Sequence, residues 1–161
     1  HTRCSRDWSS DVCSSDLSQI HCLFCRIAAE AKDQENYVVL RGERNFVLLN
    51  RYPYSSGHLM IAPYEHTATM ENADVATLEE LIRLAQRVEM ALRAVYRPGG
   101  FNLGFNIGEC AGAGVAGHIH LHALPRWAGD TSFVTTVGET RVLPEDLETT
   151  YERVSAALKG S

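Results

Sequence analysis

The sequence predicts an α+β domain: a five-stranded antiparallel sheet with one long helix and short flanking helices. Two observations predict it. Short β-rich apolar runs follow one another with turn chemistry between them, and a single long stretch of sustained helical periodicity is inserted among them. A length of 161 residues suits one domain able to bury its own core, and 45% apolar against 22% charged residues is globular rather than disordered composition.

Residues 1–17, HTRCSRDWSSDVCSSDL, carry no apolar period, and their segment DVCSSDL reads as a translation of the end of a sequencing-library adapter. They are expected to be an assembly artefact or a disordered tail, so His1, Cys4 and Cys13 take no part in the functional reading. Residues 18–161 are read as one domain without linker or repeat. CLFCRIAAEAK (22–32) predicts a short first helix carrying paired cysteines. YVVLRG (37–42) and NFVLLN (45–50) predict a hairpin, RYPYSSG (51–57) a turn and HLMIAP (58–63) a third strand. Leu78, Leu81, Ile82, Ala85, Val88, Leu92 and Val95 then recur at helical spacing with charges on the other face. Asp74 or Thr77 can cap that helix, Thr77 with Glu80 forming a capping box, and RPGG from Arg97 stops it. FNLGFNIG (101–108) predicts a fourth strand, ECAGAGVAG (109–117) a small-residue loop, HIHLHALP (118–125) the fifth strand, and LPEDLETTYERVSAALK (143–159) a closing helix.

Fifteen Lys and Arg stand against 20 Asp and Glu, for a net charge of −5. That balance argues against a general nucleic-acid or anionic-membrane binder, and no apolar run is long enough to cross a bilayer. Five cysteines are an odd number, with Cys22 and Cys25 set apart from Cys110 and the first two. No disulfide framework is expected, and a reducing cytoplasm is the expected compartment. The first stretch also lacks the apolar core of a signal peptide.

Three of the seven histidines fall within residues 118–122. A spacing of two is the period of a strand, so His118, His120 and His122 point to one face and Ile119, Leu121 and Ala123 to the other. Imidazoles serve as base, nucleophile or metal ligand near neutrality. For a shared catalytic metal the nearest carboxylates in sequence are Glu109 and Asp130. The AGAGVAG run before the histidines is small enough to expose successive backbone N–H groups, which can cradle phosphate oxygens. Beside an imidazole nucleophile, such a loop points to phosphoryl or nucleotidyl transfer.

HIHLHAL (118–124) matches the H-φ-H-φ-H-φ-φ pattern, and on it the chain resembles the histidine-triad (HIT) superfamily of nucleotide hydrolases and transferases. NFVLLNRYPYSSGHLMIAPYEH (45–66) is similar to that family's N-terminal half. HALPRWAGDTSFVTTVGETRVLPEDLETTYERV (122–154) resembles the branch of diadenosine tetraphosphate phosphorylases and hydrolases. The likeness runs from about Ile20 to the end and implies a HIT-like fold. It implies chemistry through a covalent nucleotidyl-histidine, with His120 attacking the α-phosphorus and His118 orienting. His122 would contact the α-phosphate and bridging oxygen, and the Gly117 backbone would complete the cradle.

The resemblance also implies that Asn50 binds the ribose, that His58 packs beside the nucleotide pocket and that Asn106 lies near the phosphates. The structural alternatives are an Asn50 capping the turn before Pro53, a buried His58 satisfied by the triad, and a plain strand-end Asn106. Phe46 and Leu48, with Leu59 and Ile61, line the base pocket or pack the core. Many relatives carry Gln and Ser or Thr before the triad; this chain has Ala113, Gly114, Val115 and Ala116. His122 stands where the hexose-1-phosphate uridylyltransferase branch has Gln, which argues against a sugar-nucleotide transferase.

Cys22 and Cys25 have the spacing of a zinc half-site; a redox pair and two free thiols are the other readings. The resemblance implies a structural zinc held by Cys22, Cys25, His66 and His118, with no open position and no organic cofactor. It implies, too, a homodimer whose sheets join into one. The expected activity is cleavage of dinucleoside polyphosphates, diadenosine tetraphosphate in particular. The products are AMP plus ATP with water as acceptor, and ADP plus ATP with phosphate. The alternatives are a nucleoside 5′-phosphoramidase, a zinc-stabilised nucleotide-binding or interaction module with little activity, and a metallohydrolase using the triad as ligands.

Overall fold

Alternation along the strands decides which side of the sheet each side chain takes. In this computed structural model, which describes residues 21–130 and 144–160, five strands pair antiparallel in the order β1-β2-β3-β5-β4. They are β1 (Val38–Arg41), β2 (Asn45–Leu49), β3 (Leu59–Pro63), β4 (Gly100–Phe105) and β5 (Leu121–Arg126). Val47, Leu49, Leu59, Ile61, Leu121 and Ala123 turn to one face. There they meet α2 (Val75–Tyr96) and α3 (Leu147–Lys159). Phe46, Leu48, Met60 and Ala62 turn to the other face, against Cys22, Phe24 and Ile27 of the short α1 (Leu23–Ala29) and its N-cap. The α+β antiparallel class stands as expected. Residues 1–17 lie outside the described part of the chain.

This sorting decides between the two readings of Phe46, Leu48, Leu59 and Ile61. Phe46 and Leu48 pair with Ala62 and Met60, so Leu59 and Ile61 lie on the opposite face and belong to the α2 core. Of these four, only Phe46 and Leu48 share a face with the histidines. The reason is the strand period of two, which puts Leu59 and Met60 on different sides.

The buried stripe of α2 is Leu81, Leu84, Ala85, Val88, Ala91 and Leu92, while Ile82 is 56% exposed. Asp74 is its N-cap, and Arg97 closes it in the left-handed region at φ 47°. No Thr77–Glu80 capping box forms. Glu80 turns outward to the β1–β2 turn, where its carboxylate accepts the backbone N–H of Arg44 and of Asn45 at 2.9 Å and of Glu43 at 3.2 Å. Three amides that the tight turn leaves unpaired outcompete one helix-terminal donor. Asp146 caps α3 through Thr149 N–H at 2.9 Å.

Element ends shift by a few residues. α1 stops at Ala29, where Arg41 takes over its C-terminal carbonyls: the guanidinium donates to Ala28 O at 2.9 Å, Ile27 O at 3.2 Å and Glu30 O at 2.8 Å. β5 begins at Leu121 rather than at residue 118, because β3 pairs with it only from Leu59 to Ile61. Residues 118–120 run on past β3 with Ile119 N–H bonded to Thr67 O at 2.7 Å, outside the ladder.

Candidate active site

His122 faces Met60 across the β3–β5 ladder, and His120 and His118 continue its side of the chain in the run before β5. The rings form a contiguous file. His120 and His122 centroids lie 4.8 Å apart, and Phe24 packs 4.7 Å from His120 and 5.2 Å from His118. His118 is 0% exposed, His58 1% and His120 4%.

Main-chain groups set the proton positions. A carbonyl only accepts, so His120 Nδ1, 2.9 Å from His118 O, carries a hydrogen and leaves Nε2 its lone pair. By the same argument His118 Nε2–H donates to Pro63 O at 2.8 Å, and its Nδ1 is the free acceptor. An amide only donates, so Tyr54 N–H gives its hydrogen to His58 Nδ1 at 3.2 Å. His58 Nε2–H then donates to His122 Nδ1 at 2.9 Å, and His122 presents Nε2–H. Burial pushes His58, His118 and His122 down to about 4 and lowers His120 from its usual range as well, so all four are neutral at pH 7. The site thus presents a neutral nucleophilic nitrogen beside an N–H donor.

The other expected residues are placed as follows. Asn50 is half-buried, its side-chain carbonyl accepting Tyr52 N–H at 2.9 Å and its own N–H bonding His58 O at 3.0 Å. The turn-capping reading therefore accounts for its oxygen. Asn106 follows β4 and is exposed. Gly117 is exposed too, and a β-carbon on it would sit 3.8 Å from the His66 ring, ordinary contact. Asp130 is paired with Arg126 at 2.8 Å.

Behind the triad, Cys22, Cys25, His66 and His118 converge. Cys25 Sγ lies 3.2 Å from His66 Nδ1 and 3.5 Å from His118 Nδ1, Cys22 Sγ 3.4 Å from His118 Nδ1, and the two Nδ1 atoms are 3.3 Å apart. Tetrahedral zinc at its usual bond lengths sets ligand atoms about 3.3–3.8 Å apart. The donor chemistry fits as well: two sulfurs, and a His118 Nδ1 whose lone pair is fixed by the bond to Pro63. Without a cation, burial and the neighbouring Cys22 push the Cys25 thiol up to about 11. Among the described residues this is the one such cluster, and neither Glu109 nor Asp130 joins the histidines in it.

Sequence reasoning missed Phe24, the Tyr54 amide and the Pro63 carbonyl. Phe24 sits between the two cysteines, and its helical position was its only signal. Main-chain donors and acceptors carry no residue identity and leave none.

The chain's residues 31–129 match the family model described as HIT domain. An AP-4-A phosphorylase from Mycobacterium tuberculosis is 40% identical over 121 residues, covering 75% of this chain; the chain spans 62% of that protein's length. A Zn-bound histidine triad family protein from Mycobacterium smegmatis superposes with a TM-score of 0.71 at 27% identity, over 88% of this chain and 96% of that one. A hypothetical histidine triad nucleotide-binding protein from Sulfolobus tokodaii gives 0.69 at 27% identity, over 86% of this chain and 93% of that one.

Proposed function

Because the chain belongs to the HIT domain family, we propose that it is a nucleotidyl hydrolase or transferase that cleaves dinucleoside polyphosphates, diadenosine tetraphosphate in particular, at the α-phosphate. The observation that carries this reading is the tautomer of His120, whose Nδ1–H is bonded to His118 O so that Nε2 keeps its lone pair. Nε2 attacks the α-phosphorus, and the bond from phosphorus to the bridging oxygen breaks. The nucleoside polyphosphate, ATP in the case of diadenosine tetraphosphate, leaves as an anion, while His122 Nε2–H donates a hydrogen bond to the departing oxygen. The adduct on His120 is an imidazolium, its charge stabilised through Nδ1–H by the His118 carbonyl. Phosphate or water then attacks phosphorus and neutral His120 leaves, the acceptor's proton passing to solvent.

The backbone of residues 112–117 cradles the phosphates, with Gly117 nearest the histidines, and Asn106 lies beside them. Asn50 binds the ribose through its amide nitrogen. The relation to a phosphorylase supports phosphate as the acceptor, giving ADP and ATP.

The Cys22, Cys25, His66 and His118 cluster holds a structural zinc. A closed four-ligand ion offers no coordination position to substrate and supplies a staple between α1 and the histidine run. A homodimer joined along β4 is supported by that strand's place at the sheet edge, with Leu103 42% and Ile107, just beyond it, 40% exposed. No described helix is long and apolar enough to cross a membrane.

The test is product analysis of diadenosine tetraphosphate turnover with and without inorganic phosphate. ADP that appears only with phosphate is the expected result, and AMP plus ATP regardless of phosphate makes the protein a hydrolase. Absence of turnover by folded, zinc-loaded protein overturns the reading, and release of AMP from a nucleoside phosphoramidate by that same protein puts the phosphoramidase in its place.

A further inference from the structure

Between β2 and β3 the chain makes the turn that delivers Tyr54 N–H and His58 to His122, and that turn is gripped from a distance. Glu145, ahead of α3, donates its N–H to Ser56 Oγ at 2.9 Å. Its carboxylate accepts Tyr96 O–H at 2.6 Å, Thr150 Oγ1–H at 2.9 Å and Arg153 Nη1–H at 2.7 Å. The Tyr96 ring in turn lies against Gly57. At φ +79° a β-carbon on Gly57 would come within 2.7 Å of that ring and 3.0 Å of Leu92. Arg153 completes the grip, with its guanidinium 4.9 Å over the Tyr96 ring and a 2.9 Å bond to Val95 O. Ser56, Gly57, His58, Asn50 and Glu145 line one narrow crevice.

We infer that Glu145, holding the turn through Ser56 on one side and through Tyr96 and Gly57 on the other, is a positioning residue for His58 and, through it, for His122. The chemistry is a tautomer choice. An isolated neutral imidazole places its hydrogen on either nitrogen at little cost, and the bond that the other nitrogen makes decides. His122 presents Nε2–H only while His58 Nε2–H reaches its Nδ1, and His58 keeps that hydrogen only while the turn holds Tyr54 N–H on its Nδ1. The carboxylate is suited to a fixed grip. Burial raises Glu145, but hydrogen bonds from Tyr96, Arg153 and Thr150 outweigh it and hold it below the usual range, charged throughout the neutral region. Burial and the bond to Glu145 push the Tyr96 phenol up to about 12, so it stays a donor.

The inference rests on the nucleotidyl-transfer reading for its kinetic consequence and not for its structural one. The experiment therefore has two readouts. Long-range nitrogen-15 spectra of the histidine rings report tautomers without turnover. Aryl esters of AMP report the donor: the phenyl ester leaves poorly and needs His122 Nε2–H, whereas the p-nitrophenyl ester leaves well. Ser56→Ala and Tyr96→Phe each cut one link, and the double variant cuts both. Val154→Ala, a buried α3 position, is the control for lost stability alone.

In wild type both His58 and His122 show the Nε2–H pattern. In the double variant His122 becomes a mixture of tautomers while His120 keeps its own, and the phenyl ester loses about tenfold more turnover than the p-nitrophenyl ester. Should the double variant fail to fold, the single variants show the same changes at smaller amplitude. An Nδ1–H His122 in wild type overturns the inference. So does an unchanged His122 with equal losses on both esters in the folded variants, or the same changes in Val154→Ala. A shifted tautomer in a protein whose wild type turns over neither ester nor diadenosine tetraphosphate upholds the positioning role and overturns the nucleotidyl-transfer reading instead.

Discussion

His120 owes its usable nitrogen to a carbonyl two residues before it, so replacing the ring removes the proposed nucleophile and leaves that carbonyl in place. His120→Ala is expected to lose at least about a thousandfold in turnover of diadenosine tetraphosphate while still folding, as circular dichroism will show. His58 has a different signature in acid. Its folded value of about 4 lies below the ordinary 6.5, so between those limits the unfolded chain takes up a proton that the folded chain refuses. The stability it contributes is complete above pH 6.5 and is lost as pH falls toward 4, by on the order of 3 kcal/mol, readable from urea midpoints at a series of pH values. His58→Phe, apolar and ring-sized, is expected to reduce the measured slope without removing it, because burial lowers His118 and His122 to about 4 as well. The file of three histidines was legible in the sequence from its spacing, and the convergence of Cys22, Cys25, His66 and His118 and the nearness of His58 to the triad through the family resemblance that the motif carries. The tautomers were not, because Pro63 O, His118 O and Tyr54 N–H decide them.

Among the elements, α2 shows how a correct residue can carry an incorrect role. Thr77 and Glu80 have capping-box spacing, yet Glu80 closes the β1–β2 turn instead, since amides of a tight turn have no other partner. Glu80→Ala is expected to cost about 2 kcal/mol, seen as a lowered denaturant midpoint with an unchanged slope, because three backbone donors lose a charged acceptor. The five strands were readable from β-rich runs and the turn chemistry between them, and the long helix from its period. Their ends were not: β5 starts late because the β3 ladder runs out at Ile61, and α1 stops early because Arg41 captures its carbonyls. Both are tertiary facts without a local signature.

For the molecule as a whole, the two faces of the sheet are unequally secured. One carries α2 and α3 over a continuous apolar core. The other carries His120, roofed by a helix of seven residues. A helix that short does not persist alone in water, so α1 depends on Arg41 and on its cysteines. On the zinc reading proposed above, treatment with a chelator is expected to lower the melting temperature by several degrees and to abolish turnover, with zinc readdition restoring both. Cys25→Ser is expected to mimic the stripped protein. Native-state amide exchange should then divide the chain in two, with β2 and α2 exchanging only on global unfolding and α1 exchanging through a cheaper opening that chelation makes cheaper still. On the proposed zinc reading, a chain synthesised where metal is scarce is expected to leave Phe46 and Met60 less well covered by α1, so that metal supply during expression raises the share of it that stays out of inclusion bodies.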